Sequence, residues 1–100
     1  MYVILTSKPG RFRTELVPGL RPLEAYDYMF YGRHEARFVI AELVDTAVRI
    51  RVVEEESGIV NEVPSKFLEK FETAEGALDG LRQLVTFGRM ETSLRKAAAP

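Results

Sequence analysis

Tyr26, Tyr28, Phe30, Tyr31 and Phe38 lie in one short stretch with Arg33 and Arg37, and Arg49 and Arg51 follow closely. Aromatic faces can stack bases and guanidinium groups can hold phosphates, so this set carries the chemistry of a single-strand nucleic-acid platform. Its spacing favours another use. Tyr26, Tyr28 and Phe30 share one parity, as side chains packed on one face of a strand do. The run Arg33–Phe38 also lacks the aromatic-glycine-aromatic signature of the common RNA-reading sheet. A formal net charge of -1 supplies no overall attraction for polyanions or anionic membranes. Nucleic acid is therefore not an expected partner, and neither is a membrane.

Other reactive residue types are sparse. His34 is the only histidine and cysteine is absent, so no second imidazole or thiolate can complete a zinc site or a nucleophile–base pair around it. The serines at 7, 57, 65 and 93 sit in no G-x-S-x-G context, and neither familiar phosphate-loop pattern occurs. Ser65 reads instead as a helix-start residue. Lys8-Pro9-Gly10-Arg11-Phe12-Arg13 could set three cations around an anion, although a polar turn with solvated charges is the better reading. Glu54-Glu55-Glu56 could offer oxygens to a hard cation. Neighbours along a strand point to opposite faces, however, so a charged hairpin tip that discourages edge association is the better reading. No catalytic residues, metal ligands or cofactors are expected.

What remains is recognition. Arg49 and Arg51 share a strand face, and Arg37 has their parity on the preceding strand. With Arg33 and His34 they form the expected surface for a protein partner or a second copy of the chain. The expected function is thus a small non-enzymatic interaction or accessory module. The alternative is a small-molecule site at the interface of sheet and helix, with Tyr26, Tyr28, Tyr31 and His34 lining the pocket, or, less favoured, a single-stranded nucleic-acid binder.

These residues need elements to place them. Tyr26 to Val53 alternates with period two in three runs, separated by turns at Gly32–Glu35 and Asp45-Thr46, which predicts a β-meander. Arg37–Leu43 is apolar at both parities, so it is expected in the centre of the sheet, covered on both faces. Strands are also expected at Tyr2–Thr6, Arg11–Val17 and Ile59–Val63, with Pro22 in irregular backbone before the long strand. The period changes after Pro64, and helical structure is expected from about 64 to 87: a short turn carrying Phe67, Leu68 and Phe71, then a longer helix. Thr73 is placed to cap it, and Ala74, Ala77, Leu78, Leu81, Leu84 and Val85 form one stripe. Phe87-Gly88 is a plausible stop.

At 100 residues and 46% hydrophobic, the chain is expected to be one domain burying roughly 65% of its unfolded surface. The fold class expected is α+β: a five- to six-stranded, mainly antiparallel, curved sheet (a meander or small open barrel) with one principal C-terminal helix packed on it. Residues 1–88 form the domain and 89–100 a flexible tail. Charge is uneven, at +2 for residues 1–53, -6 for 54–79 and +3 for 80–100, which makes the middle block an acidic surface facing solvent or a basic partner. With no leader-like or membrane-length apolar run in the sequence, a cytoplasmic location is expected.

Overall fold

The computed structural model of the chain describes residues 1–86 and 92–100. In chain order these form β1 (Tyr2–Ser7), β2 (Phe12–Glu15), β3 (Leu20–Phe30), β4 (Arg33–Leu43), β5 (Arg49–Glu54), β6 (Val60–Pro64), a 3-10 turn (Ser65–Phe67), α1 (Ala74–Val85) and β7 (Thr92–Ala97). The fold is α+β with mainly antiparallel strands and one helix near the C-terminal end. Seven strands divide between a four-stranded sheet, ordered β1-β4-β3-β7, and a three-stranded sheet, ordered β2-β5-β6.

The doubly apolar strand β4 lies inside the larger sheet, between β1 and β3. Its Ala41 and Leu43 pack with Val3, Leu5, Leu20, Val48 and Ile50 in a core shared with the second sheet. On the opposite face its Ala36, Phe38 and Ile40 pack with Tyr26 and with Ala77, Leu81 and Val85 of α1. A strand covered on both sides needs apolar residues at both parities, and β4 has them.

The three alternating runs do not form a meander. β3 and β4 are a hairpin, but β5 leaves β4 and pairs with β2 and β6 instead. The hairpin turns on Tyr31 and Gly32, whose φ values of 48° and 78° are both positive. That is the requirement of a two-residue turn whose twist matches its strands.

Other expectations also change. Pro22 belongs to β3, next to a register shift between Pro22 and Glu24; β7 pairs only with Ala25–Phe30, so no partner on that side needs the missing N–H. The short helical turn expected after Pro64 is present as the 3-10 turn Ser65–Phe67, but Leu68 and Phe71 lie beyond it, and Phe71 exchanges backbone hydrogen bonds of 2.8 Å with Tyr2. Ser65 caps no helix with its side chain. Its hydroxyl donates to the Thr46 carbonyl at 2.8 Å and ties the turn to the β4–β5 loop. Thr73 does cap α1, its Oγ1 accepting from the Gly76 N–H at 2.9 Å.

The expected tail contains β7, paired with β3 from Ala25↔Ala97 to Phe30↔Thr92. Phe87-Gly88 lies outside the described residues. Among those residues, no helix is long and apolar enough to cross a membrane.

Candidate functional site

The helix-facing side of the larger sheet is built by alternation. Ile4 and Thr6 of β1, Ile40, Phe38 and Ala36 of β4, and Tyr26 and Tyr28 of β3 stand in facing pairs or adjacent rows. One departure from alternation decides what joins them at the hairpin end. Tyr28 pairs with Ala36, but the next residue, Met29, pairs with His34, leaving Glu35 as an extra residue in β4. Such a bulge exchanges the faces of everything beyond it. Strict alternation from Ala36 would put His34 on the helix side and Arg33 beside Arg37. The bulge puts Arg33 opposite Phe30 on the helix side, and His34 with Arg37 on the other.

Beside the last turn of α1 this face opens into a cleft of about 500 Å³. Its walls are Tyr28, Phe30, Ala36 and Phe38 from the sheet, with Leu84 and Val85 from the helix. Thr6, Lys8, Arg33 and Glu35 also line it. The Tyr28 and Phe38 rings stand 6.4 Å apart, tilted by 53°. Leu84 is 60% exposed, although its spacing had placed it in the buried stripe; Ala77, Leu81 and Val85 are the buried residues of α1. An exposed leucine at the edge of an apolar cleft is surface that a ligand could remove from water.

Among the described residues, the charged side chains lining the cleft are Lys8, Arg33 and Glu35. Arg33 Nη2 lies 3.4 Å from Glu35 Oε1 in an exposed pair, which holds the guanidinium only weakly. Lys8 opens the β1–β2 turn, where its N–H donates to the Phe12 carbonyl at 2.9 Å. Of the three cations of the Lys8–Arg13 run, Lys8 lines this cleft, Arg11 lines a separate pocket with Phe12, and Arg13 of β2 lines the groove described next. Burial, and secondarily the Glu35 charge, raise the Tyr28 phenol above its ordinary range, so it is a neutral hydroxyl at physiological pH.

The opposite face of the sheet carries a second depression of about 490 Å³ where the two sheets diverge, lined by Leu5, Val39, Arg13, Arg37, Arg51 and Glu15 among others. Arg51 Nε donates to Glu15 Oε1 at 2.7 Å. That hydrogen bond, with a smaller contribution from Arg13, holds the Glu15 carboxyl below its usual value against a modest opposing effect of burial. Asp27 Oδ1 meets both Arg37 Nε at 3.1 Å and His34 Nε2 at 3.0 Å.

The residues singled out from the sequence are therefore dispersed. Arg37 and Arg51 do share the inter-sheet groove, and His34 stands near Arg37. Arg33 is on the helix side, and Arg49 lines a separate pocket with Lys66. Of the four proposed pocket residues only Tyr28 lines the cleft. Tyr26 is buried, 8% exposed, and donates its hydroxyl to the Glu24 carboxylate. Tyr31 is 57% exposed at the hairpin tip, its ring packed edge-on against Phe30 at 4.7 Å. The buried aromatic rings face α1, whereas Arg37 and Arg51 line the inter-sheet groove on the other side of the larger sheet, so no base-stacking platform rimmed by those arginines is formed.

Among the cleft residues outside the proposed pocket set are Phe30 and Lys8, which the sequence offers only as part of the aromatic group and of a three-cation turn, and Glu35 and Leu84. The signals were a cation directly after a strand and a leucine in a helix's final turn. Among the described residues, no three His, Asp or Glu side chains converge to hold a metal ion. Compared with models of known families, with curated proteins and with solved structures, the chain matches none.

Proposed function

We propose that the protein is a small non-enzymatic binding module whose sheet–helix cleft takes an amphipathic organic anion. The ligand class is an apolar or aromatic body carrying one carboxylate, sulfonate or phosphate. The observation that carries this reading is the meeting of an aromatic and aliphatic cleft of about 500 Å³ with Lys8 and Arg33 among its lining residues. The volume falls within the range of small-ligand sites, which are mostly apolar with a few placed polar groups. The ligand's body would cover Leu84, Phe30 and Tyr28, and its anion would face the two cations. A ligand of about 20 heavy atoms at roughly -0.3 kcal/mol per atom would bind with a Kd on the order of tens of micromolar.

Titration with 8-anilinonaphthalene-1-sulfonate, an aromatic body with one anionic group, tests the proposal. Its fluorescence should rise to saturation at one probe per chain, and decanoate should displace it more effectively than decanol. Lys8→Glu should weaken binding about tenfold, the effect of one lost charge contact of roughly 1.4 kcal/mol. Leu84→Asp should abolish it, with circular dichroism unchanged in both variants. Saturable binding indifferent to both substitutions, or no binding, overturns the proposal.

A further inference from the structure

Each sheet ends in a strand whose outer side has no partner strand among the described residues: β6 in the three-stranded sheet and β7 in the four-stranded sheet. The direction of β6's free backbone groups follows from its register. Glu54 N–H donates to the Ile59 carbonyl at 2.9 Å, so this facing pair is hydrogen-bonded. The pairing Val53↔Val60 and Arg51↔Glu62 then falls on the alternate, non-bonded positions, where N–H and C=O point away from the partner strand. Val60 and Glu62 thus offer their backbone groups to a further strand. Pro64, paired with Arg49, occupies the same kind of position and has no N–H to offer, which ends the usable edge.

The two edges differ in charge. β6 carries Glu62 and follows the exposed Glu54-Glu55-Glu56 tip, while β7 carries exposed Arg95 and Lys96. Pairing β6 with β6 would oppose carboxylates, and pairing β7 with β7 would oppose cations. Only the unlike pairing brings opposite charges together, and facing opposite charges stabilise cross-strand contacts. Ile59 and Val60, 55% and 40% exposed, add apolar surface at the start of the acidic edge.

We infer that copies of this chain associate edge to edge, β6 of one copy against β7 of the next. The contact is heterologous, so every assembly, whatever its length, leaves one edge of each kind free at its ends. Assembly therefore grows as a chain of copies instead of closing as a two-fold dimer. It is independent of the ligand cleft.

Sedimentation velocity over a range of protein concentrations tests the inference. At about 20 mM salt the mean sedimentation coefficient should rise with concentration without levelling at a dimer, and at about 500 mM salt, where charges are screened within a few ångströms, it should fall to the monomer value. R95E/K96E has two acidic edges, and E62K makes the β6 edge more basic; each should be monomeric alone, and an equimolar mixture should associate again. V60P keeps every charge but removes one outward N–H, and should weaken association at least tenfold. Circular dichroism matching wild type establishes that each variant is folded. A wild type that stays monomeric at low salt overturns the inference, as does association that charge reversal and V60P leave unchanged.

Discussion

Gly80 of α1 lies against the ring of Phe71, so that a Cβ at position 80 would fall 2.7 Å from Phe71 Cε1 and 3.0 Å from Cζ. The ring is not free to withdraw easily, because Phe71 is tied through its backbone to Tyr2 and packs on the helix-side core. Two opposing effects therefore meet at this position. Alanine favours a helix interior over glycine by about 1 kcal/mol, whereas overfilling a packed site costs about 1–3 kcal/mol.

The clash should win, and Gly80→Ala should lower stability by about 1 kcal/mol. In a Phe71→Ala background the obstruction is gone, and the same substitution should instead stabilise by about 0.5–1 kcal/mol. Urea unfolding of the four proteins of this cycle reads the change of sign directly.

The helix start offers a second test. Thr73→Ala removes the oxygen that accepts from the Gly76 N–H and should cost about 1 kcal/mol, while Thr73→Ser should retain most of the stability. Equal losses in the two variants would mean that the methyl group, not the hydroxyl, matters here.

Alkaline pH should expose the burial of Tyr26. Burial pushes its phenol from the ordinary 10 up to about 12, and the hydrogen bond to Glu24 adds to this. Folding then retains a proton that the unfolded chain releases from about pH 10 upwards. The unfolded state binds fewer protons in that window, so stability should be flat in this contribution below pH 10 and fall between pH 10 and 12. Tyrosinate absorbance should show a late-titrating component that Tyr26→Phe removes.

The inter-sheet groove makes the opposite acid-side prediction. Glu15's carboxyl titrates low chiefly because of Arg51, so the stability associated with its ionised form is present above its unfolded value and is lost as pH falls through the lowered folded one. Arg51→Gln should move its NMR titration midpoint up towards the ordinary carboxylate range. Arg49→Gln, on a residue that lines a different pocket, should leave it in place.

Much of the architecture is legible where a physical requirement acts on every residue of an element. β4 needs apolar side chains at both parities because both its faces are covered, and Arg37–Leu43 shows this without a structure. Thr73 and the Ala77–Leu81–Val85 spacing likewise announce a capped helix with one buried stripe. β7 is harder to see, because an edge strand with one wet face can be held by backbone bonds around a single large apolar residue, here Leu94. The division into two sheets is equally hidden, since alternation records which side of a strand is buried but not which strand lies next to it.

The site was read least well, for a reason located at one residue. The spacing reads Gly32–Glu35 as a turn, whereas Arg33–Glu35 belong to β4. Even read as strand, parity counted back from Ala36 would put Arg33 and His34 on the wrong faces, and nothing in Arg33-His34-Glu35 distinguishes a bulge from a regular strand. Only the pairing of Met29 with His34 reveals it. The exposed position of Leu84 is similarly a matter of where the helix ends relative to the sheet.

That bulge has a consequence for how this surface could diverge. Glu35 is the surplus residue between two stretches whose pairings are already complete, so a chain shorter by this one position could close the ladder with Ala36, His34 and Arg33 opposite the same partners as before. Its loss would take away the only carboxylate among the described residues lining the cleft and leave Lys8 and Arg33 where they are. Chain length at a single point in the hairpin therefore tunes the net charge of the cleft, and variants differing by one residue there could sort ligands by charge while sharing one scaffold.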